Sequence, residues 1–106
     1  MGVVDTVVSV NGVRIRLTAE RWFHIVKNHD EVAPYYEEVL QAVEEPDAVY
    51  RGYREALIAV RKMKRRRRWM VVVYKEVSRD DGFIITAYMT SKVRLKKEDM
   101  IWWRRR

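Results

Sequence analysis

The sequence predicts an α+β domain: an antiparallel β-sheet with two helices from the N-terminal half of the chain packed on one face. Three observations lead there. Two β-branched runs, 3–10 and 13–17, are joined by Asn11-Gly12; two helix-periodic segments follow; and four more strand-like runs come after Pro46. At 106 residues the chain has room for one small core, and it reads as a single domain, 1–106, with no linker and no repeat.

Each element has a local cause. Asn-Gly supplies the two positive-φ residues of a type I′ turn, so the first two strands form a hairpin. Thr18 is placed to cap a helix reaching Asn28. On a 100° wheel Ala19, Trp22, Phe23, Ile25 and Val26 make one stripe, His29 continues it, and His24 lies opposite. A second helix is expected from about Ala33 to Val43, with Tyr36, Val39, Leu40 and Val43 inward. Pro46 returns the chain to an extended form. Strands are then expected at 47–51, 55–63, 69–77 and 83–90, and a short helix near 97–103.

Between Phe83 and Thr90 the residues alternate, with Ile84, Thr86, Tyr88 and Thr90 on one face and Phe83, Ile85, Ala87 and Met89 on the other. A turn at Ser78–Gly82 that pairs Val77 with Phe83 sets Tyr74 across from Thr86 and Val72 across from Tyr88. Val71, Val73, Ile85, Ala87 and Met89 then form a core face. Tyr74, Thr86, Tyr88 and Thr90 form a hydroxyl-rich face left open to a ligand. A one-residue slip exchanges the two faces.

Composition narrows the classes of function. A net charge of +7 favours polyanionic partners. No apolar run approaches the ~20 residues of a membrane span, and the first residues lack a signal-peptide plan, so a cytoplasmic protein without membrane contact is expected. The absence of Cys excludes disulfides and thiolate metal sites. Abundant charge with few Asn and Gln is a thermophile-like bias. Seven of the eight residues 61–68 are Lys or Arg. Such a run at a hairpin tip is often only a solvated loop, but holding like charges together between two strands suits a nucleic-acid backbone tracked by Arg65, Arg66, Arg67 and Arg68. Trp102-Trp103 followed by three arginines adds stacking groups and charge, or else docks on the core.

The two histidines are the side chains suited to proton transfer near neutrality. Five residues apart on a helix, they lie roughly 140° apart and cannot chelate one metal. With no Asp/Glu cluster in the pattern, phosphodiester chemistry here is expected to need no metal and no cofactor. In RNA the 2′-OH attacks the adjacent phosphorus, with a base, an acid and cations sufficient.

Leu17-Thr18-Ala19-Glu20-Arg21-Trp22-Phe23-His24-Ile25 through His29, Glu45-Pro46-Asp47-Ala48-Val49-Tyr50, Met70 to Tyr74, and Ile85-Thr86-Ala87-Tyr88 occur in that order. Together they resemble the phage- and toxin-associated members of the barnase–EndoU–colicin E5/D–RelE superfamily of RNA nucleases, over about residues 17–92, with a basic tail at 93–106. The resemblance implies a RelE/barnase-like fold and a metal-independent endoribonuclease, the toxin of a toxin–antitoxin or phage-defence pair, with RNA as substrate and a cognate antitoxin as partner. It matches His24 and His29 to the helix histidines and Thr86 and Tyr88 to the strand pair as catalytic residues, with His24 or His29 as the proton carrier and Tyr88 or Thr86 positioning or protonating at phosphorus. It adds Arg51 as a phosphate ligand. The residues themselves offer Tyr74 and Thr90, on the hydroxyl-rich face, as further RNA contacts, and Lys92 as a second cation beside Arg51 to stabilise charge. The alternative is a non-catalytic RNA- or DNA-binding module using the same face.

Overall fold

The computed structural model describes residues 3–64 and 67–105. Strands β1 (Val3–Val8) and β2 (Arg14–Thr18) pair antiparallel. Their loop holds three residues, not two: Gly12 N–H donates to the Ser9 carbonyl, Ser9 N–H to that of Val13, and only Gly12 has positive φ, +81°. A type I turn closed by a left-handed glycine replaces the expected type I′ turn, and the Ser9 hydroxyl donates to Glu76 at 2.6 Å.

Helix α1 (Ala19–Asn28) begins at Thr18, whose hydroxyl accepts from Arg21 N–H at 3.1 Å. Its inward stripe is narrower than expected. Ile25 is fully buried, with Trp22 and Val26 packed beside it. Phe23 is 72% exposed, and Ala19 also faces solvent. Both lie on the far flank of the stripe, beyond the reach of the sheet. The second helix is shorter than its periodicity implies: a 3₁₀ turn, Asp30–Tyr35, carries Pro34, and α2 spans Tyr36–Glu44. Proline lacks the N–H that a regular helix needs there. Trp22 meets the ring of Tyr36 edge-on at 4.9 Å and joins the two helices.

Strands β3 (Ala48–Arg51), β4 (Leu57–Lys62), β5 (Trp69–Glu76) and β6 (Gly82–Thr90) follow. The tail contributes a 3₁₀ turn, Lys97–Asp99, and then β7 (Met100–Trp103) in place of the expected helix, because it pairs with the edge of β3. The sheet therefore has seven strands in the order β1-β2-β6-β5-β4-β3-β7. It is mixed, since β2 runs parallel to β6 at Ile15–Gly82 and Arg16–Phe83. The α+β class holds, but the all-antiparallel sheet does not.

Both faces of the sheet are covered. Under the helices, Ile15, Leu17, Ile25, Val39, Val43, Val72, Tyr74, Ile84 and Ala87 form the main core. On the other face, Ala48, Tyr50, Val60 and Val71 form a second cluster, over which Val93, Leu95 and Met100 pack. The open face expected from the sequence is thus partly roofed by the C-terminal segment.

A register shift between Val73 and Tyr74 decides which side chains share a face. Val73 sits opposite Thr86 but Tyr74 opposite Ile84, so Ile85 is the extra residue of a bulge in β6. Independently of the bulge, β5 pairs one residue out of the expected register, with Val73 and not Tyr74 opposite Thr86. Tyr74 therefore follows Met70 and Val72 into the helix-side core, fully buried, instead of the hydroxyl-bearing face. The bulge sends Ile84 to the helix side, while the register places Val71 opposite Tyr88 in the second cluster.

Candidate nucleic-acid interface

Beyond Phe83, the edge of β6 has no strand neighbour on the β2 side among the described residues. The C-terminal end of α1 and the following 3₁₀ turn pack there instead. His29, the C-cap of α1, thereby meets the ring of Tyr88, with centroids 5.8 Å apart. His29 Nδ1 also faces Glu31 Oε2 at 3.8 Å.

Tyr88 opens onto a pocket of about 160 Å³ whose wall includes Thr90, Lys92, Val93, Arg94 and Leu95. That is below the ~300 Å³ of a drug-sized site and suits a phosphate group. Lys92 and Arg94 are exposed, so their charges reach the pocket mouth without a desolvation penalty. The hydroxyl of Thr90 is already committed: it donates to the Lys92 carbonyl at 2.9 Å and accepts from Lys92 N–H at 3.2 Å. Thr90 therefore shapes the turn that carries Lys92. Thr86 lies on the same face, two residues before Tyr88, with its hydroxyl unpartnered among the described residues.

Past the pocket, Thr90 pairs with Trp69, and the Lys62 ammonium sits 5.1 Å from the centre of the Trp69 ring. Arg67 and Arg68 are exposed at the adjoining hairpin tip; Arg65 and Arg66 lie outside the described residues. The tip, Trp69 and the Tyr88 pocket therefore occupy one end of the sheet.

Other expected site residues lie elsewhere. His24 projects from the opposite side of α1 into an open depression with Thr18, Glu20 and Arg21. Asn28 Nδ2 lies 3.3 Å from its Nε2 and donates to its carbonyl at 3.0 Å. The two histidines are thus not brought together. Arg51 pairs with Leu57, which belongs to the helix side, so it stands at the far end of the sheet and on the opposite face from Tyr88. Tyr74 is sealed in the core. A cleft of about 290 Å³ between α2 and the β4–β5 hairpin, lined by Tyr35, Glu38, Arg61, Lys62 and Lys64 among others, includes neither His29 nor Tyr88.

Two site residues had no signal of their own in the sequence. Arg94 reaches the pocket because Val93 and Leu95, on either side of it, anchor the segment to the second cluster. Glu31 matters only because the turn after α1 folds it back toward His29. Among the described residues, no group of three or more His, Asp or Glu gathers as metal ligands would, and no helix is long and apolar enough to cross a membrane. Comparison of the chain with protein-family models, with curated proteins and with solved structures gives no match.

Proposed function

We propose that this chain is a metal-independent endoribonuclease acting at the His29–Tyr88 end of the sheet. The observation that carries the reading is the meeting of an imidazole and a phenol, 5.8 Å between centroids, beside a phosphate-sized pocket edged by Lys92 and Arg94. His29 takes the 2′-OH proton, and the oxygen attacks the adjacent phosphorus. Lys92 and Arg94 stabilise the extra negative charge of the phosphorane. Tyr88 donates a proton toward the departing 5′-oxygen, leaving a 2′,3′-cyclic phosphate. Arg67 and Arg68, with their neighbours in the basic run, hold the RNA backbone by charge. A cytoplasmic toxin restrained by an antitoxin is the setting that the sequence resemblance adds to this chemistry.

The test is cleavage of labelled RNA and of the matching DNA in EDTA. RNA alone should be cut. His29→Ala should lower the rate about 10²–10⁴-fold, while His24→Ala should leave it within a few-fold. Loss with His24→Ala and none with His29→Ala would move the chemistry to the other side of α1.

A second reading has one observation in its favour. Val93, Leu95 and Met100 roof the face beside Tyr88, as a fixed binding surface would allow. On that reading the chain binds RNA or DNA without cutting it. Salt-sensitive binding by wild type and His29→Ala alike, with no cleavage, would establish it.

A further inference from the structure

The β3–β4 hairpin, at the other end of β4 from the basic tip, turns through Gly52, Tyr53, Arg54, Glu55 and Ala56. Ala56 N–H donates to the Tyr53 carbonyl at 3.1 Å, and Gly52 N–H to the Ala56 carbonyl at 2.8 Å. The two central residues both have positive φ, 55° at Arg54 and 65° at Glu55. This is the mirror-image type I′ form, which calls for Asn-Gly because a Cβ is strained in the left-handed region. An Arg-Glu pair there weakens the fold. Asn11-Gly12 elsewhere in the chain shows the ordinary arrangement, with glycine at the left-handed position.

The same tip exposes its aromatic ring. Tyr53 is 82% exposed, the most exposed large apolar side chain among the described residues. The Arg54 guanidinium lies 5.5 Å from the centre of the Tyr53 ring and covers one of its sides. At such exposure the other side is open to solvent. Arg51, exposed and three residues earlier, adds a second cation to the same tip.

We infer that the Tyr53 tip is a stacking site for a single-stranded RNA base, a second contact remote from the His29–Tyr88 pocket. The base stacks on the open side of the Tyr53 ring, and Arg51 and Arg54 draw in the flanking phosphates. Strand β4 has six residues, so roughly 20 Å separates its two tips, a span open to a short oligonucleotide. The inference rests on RNA being the ligand of this chain.

The test measures affinity for a fluorescent single-stranded RNA of about 12 nucleotides, alongside thermal unfolding. Three proteins are compared: wild type, Tyr53→Ser and the double variant Arg54→Asn/Glu55→Gly. Tyr53→Ser should weaken binding about 5- to 100-fold without lowering the unfolding temperature. The double variant should unfold several degrees higher, yet bind more weakly. Unchanged RNA affinity in both variants would overturn the inference and leave the RNA reading standing. No RNA binding by wild type would overturn both.

Discussion

Tyr74→Phe is expected to stabilise this protein, although it removes a polar group from the largest fully buried side chain of the core. The Tyr74 hydroxyl has no hydrogen-bond partner among the described residues, and burying an unpartnered hydroxyl costs about 1–3 kcal/mol. Phenylalanine keeps the ring and its contacts with the helix-side core and deletes only that cost. A gain of about 1 kcal/mol raises Tm by roughly 4–8 °C in a domain of this size. In urea the midpoint should rise with the slope m unchanged. The same substitution should alter the alkaline limb. Burial, and secondarily the Glu76 carboxylate, push the phenol well above its ordinary range. Above pH ~10 the unfolded chain ionises first and binds fewer protons, so stability falls as pH rises, by up to about 1.4 kcal/mol per unit. Tyr74→Phe removes that contribution, leaving the one from Tyr36, which is raised by burial and by its hydrogen bond to Asp5. RNA affinity should not change, since the ring faces the helices. An unchanged or lowered urea midpoint would refute the reasoning and show that the hydroxyl is satisfied in solution.

Gly82→Ala should destabilise by more than about 2 kcal/mol in urea unfolding, because a Cβ there meets the Lys75 carbonyl oxygen and comes within 2.6 Å of Ile15 Cδ1, at the parallel β2–β6 junction. Arg16 Nε and Nη2 donate to the Asp81 carboxylate at 2.8 and 2.9 Å, and this hydrogen bonding holds the Asp81 carboxyl below its usual range. The stability from that pair is present at neutral pH and lost as pH falls below about 4. Thermal melts of wild type and Asp81→Asn should therefore converge in acid, and a constant gap would count against the pair. Tyr88→Phe should slow RNA cleavage at least about 10²-fold while leaving the melting temperature within a few degrees, whereas Phe23→Ser, on the solvent side of α1, should change neither stability nor cleavage.

The local elements were legible because their causes are local. The Thr18 cap, the stripe centred on Ile25, and the β-branched and alternating runs each need only neighbours along the chain, and the corresponding elements lie where those signals stand. Pro34 was an equally local signal for the 3₁₀ turn that shortens α2, and a reading by periodicity alone passes over it. The candidate site was legible in residue types, since His29, Tyr88 and Lys92 are singled out by chemistry. Its composition was not. Arg94 enters through the packing of Val93 and Leu95, and Arg51 leaves because strand pairing sets it on the other face.

The sequence by itself determined the strand runs, the helix-forming segments, the cap and the basic charge of this protein, all properties of short windows. The tertiary structure alone decided which face each side chain joins. A period of two identifies two faces but does not name the buried one when helices cover one side and the tail covers the other. The pairing of Val73 with Thr86 puts Tyr74 under the helices and leaves Thr86 and Tyr88 opposite, and one extra residue in β6, Ile85, sends Ile84 to join Tyr74. Only the departure of β2 from β6 beyond Phe83 opens the edge where the end of α1 sets His29 against Tyr88. Both outcomes follow from which distant segments fit together, and contacts between distant segments leave no periodic trace in the chain.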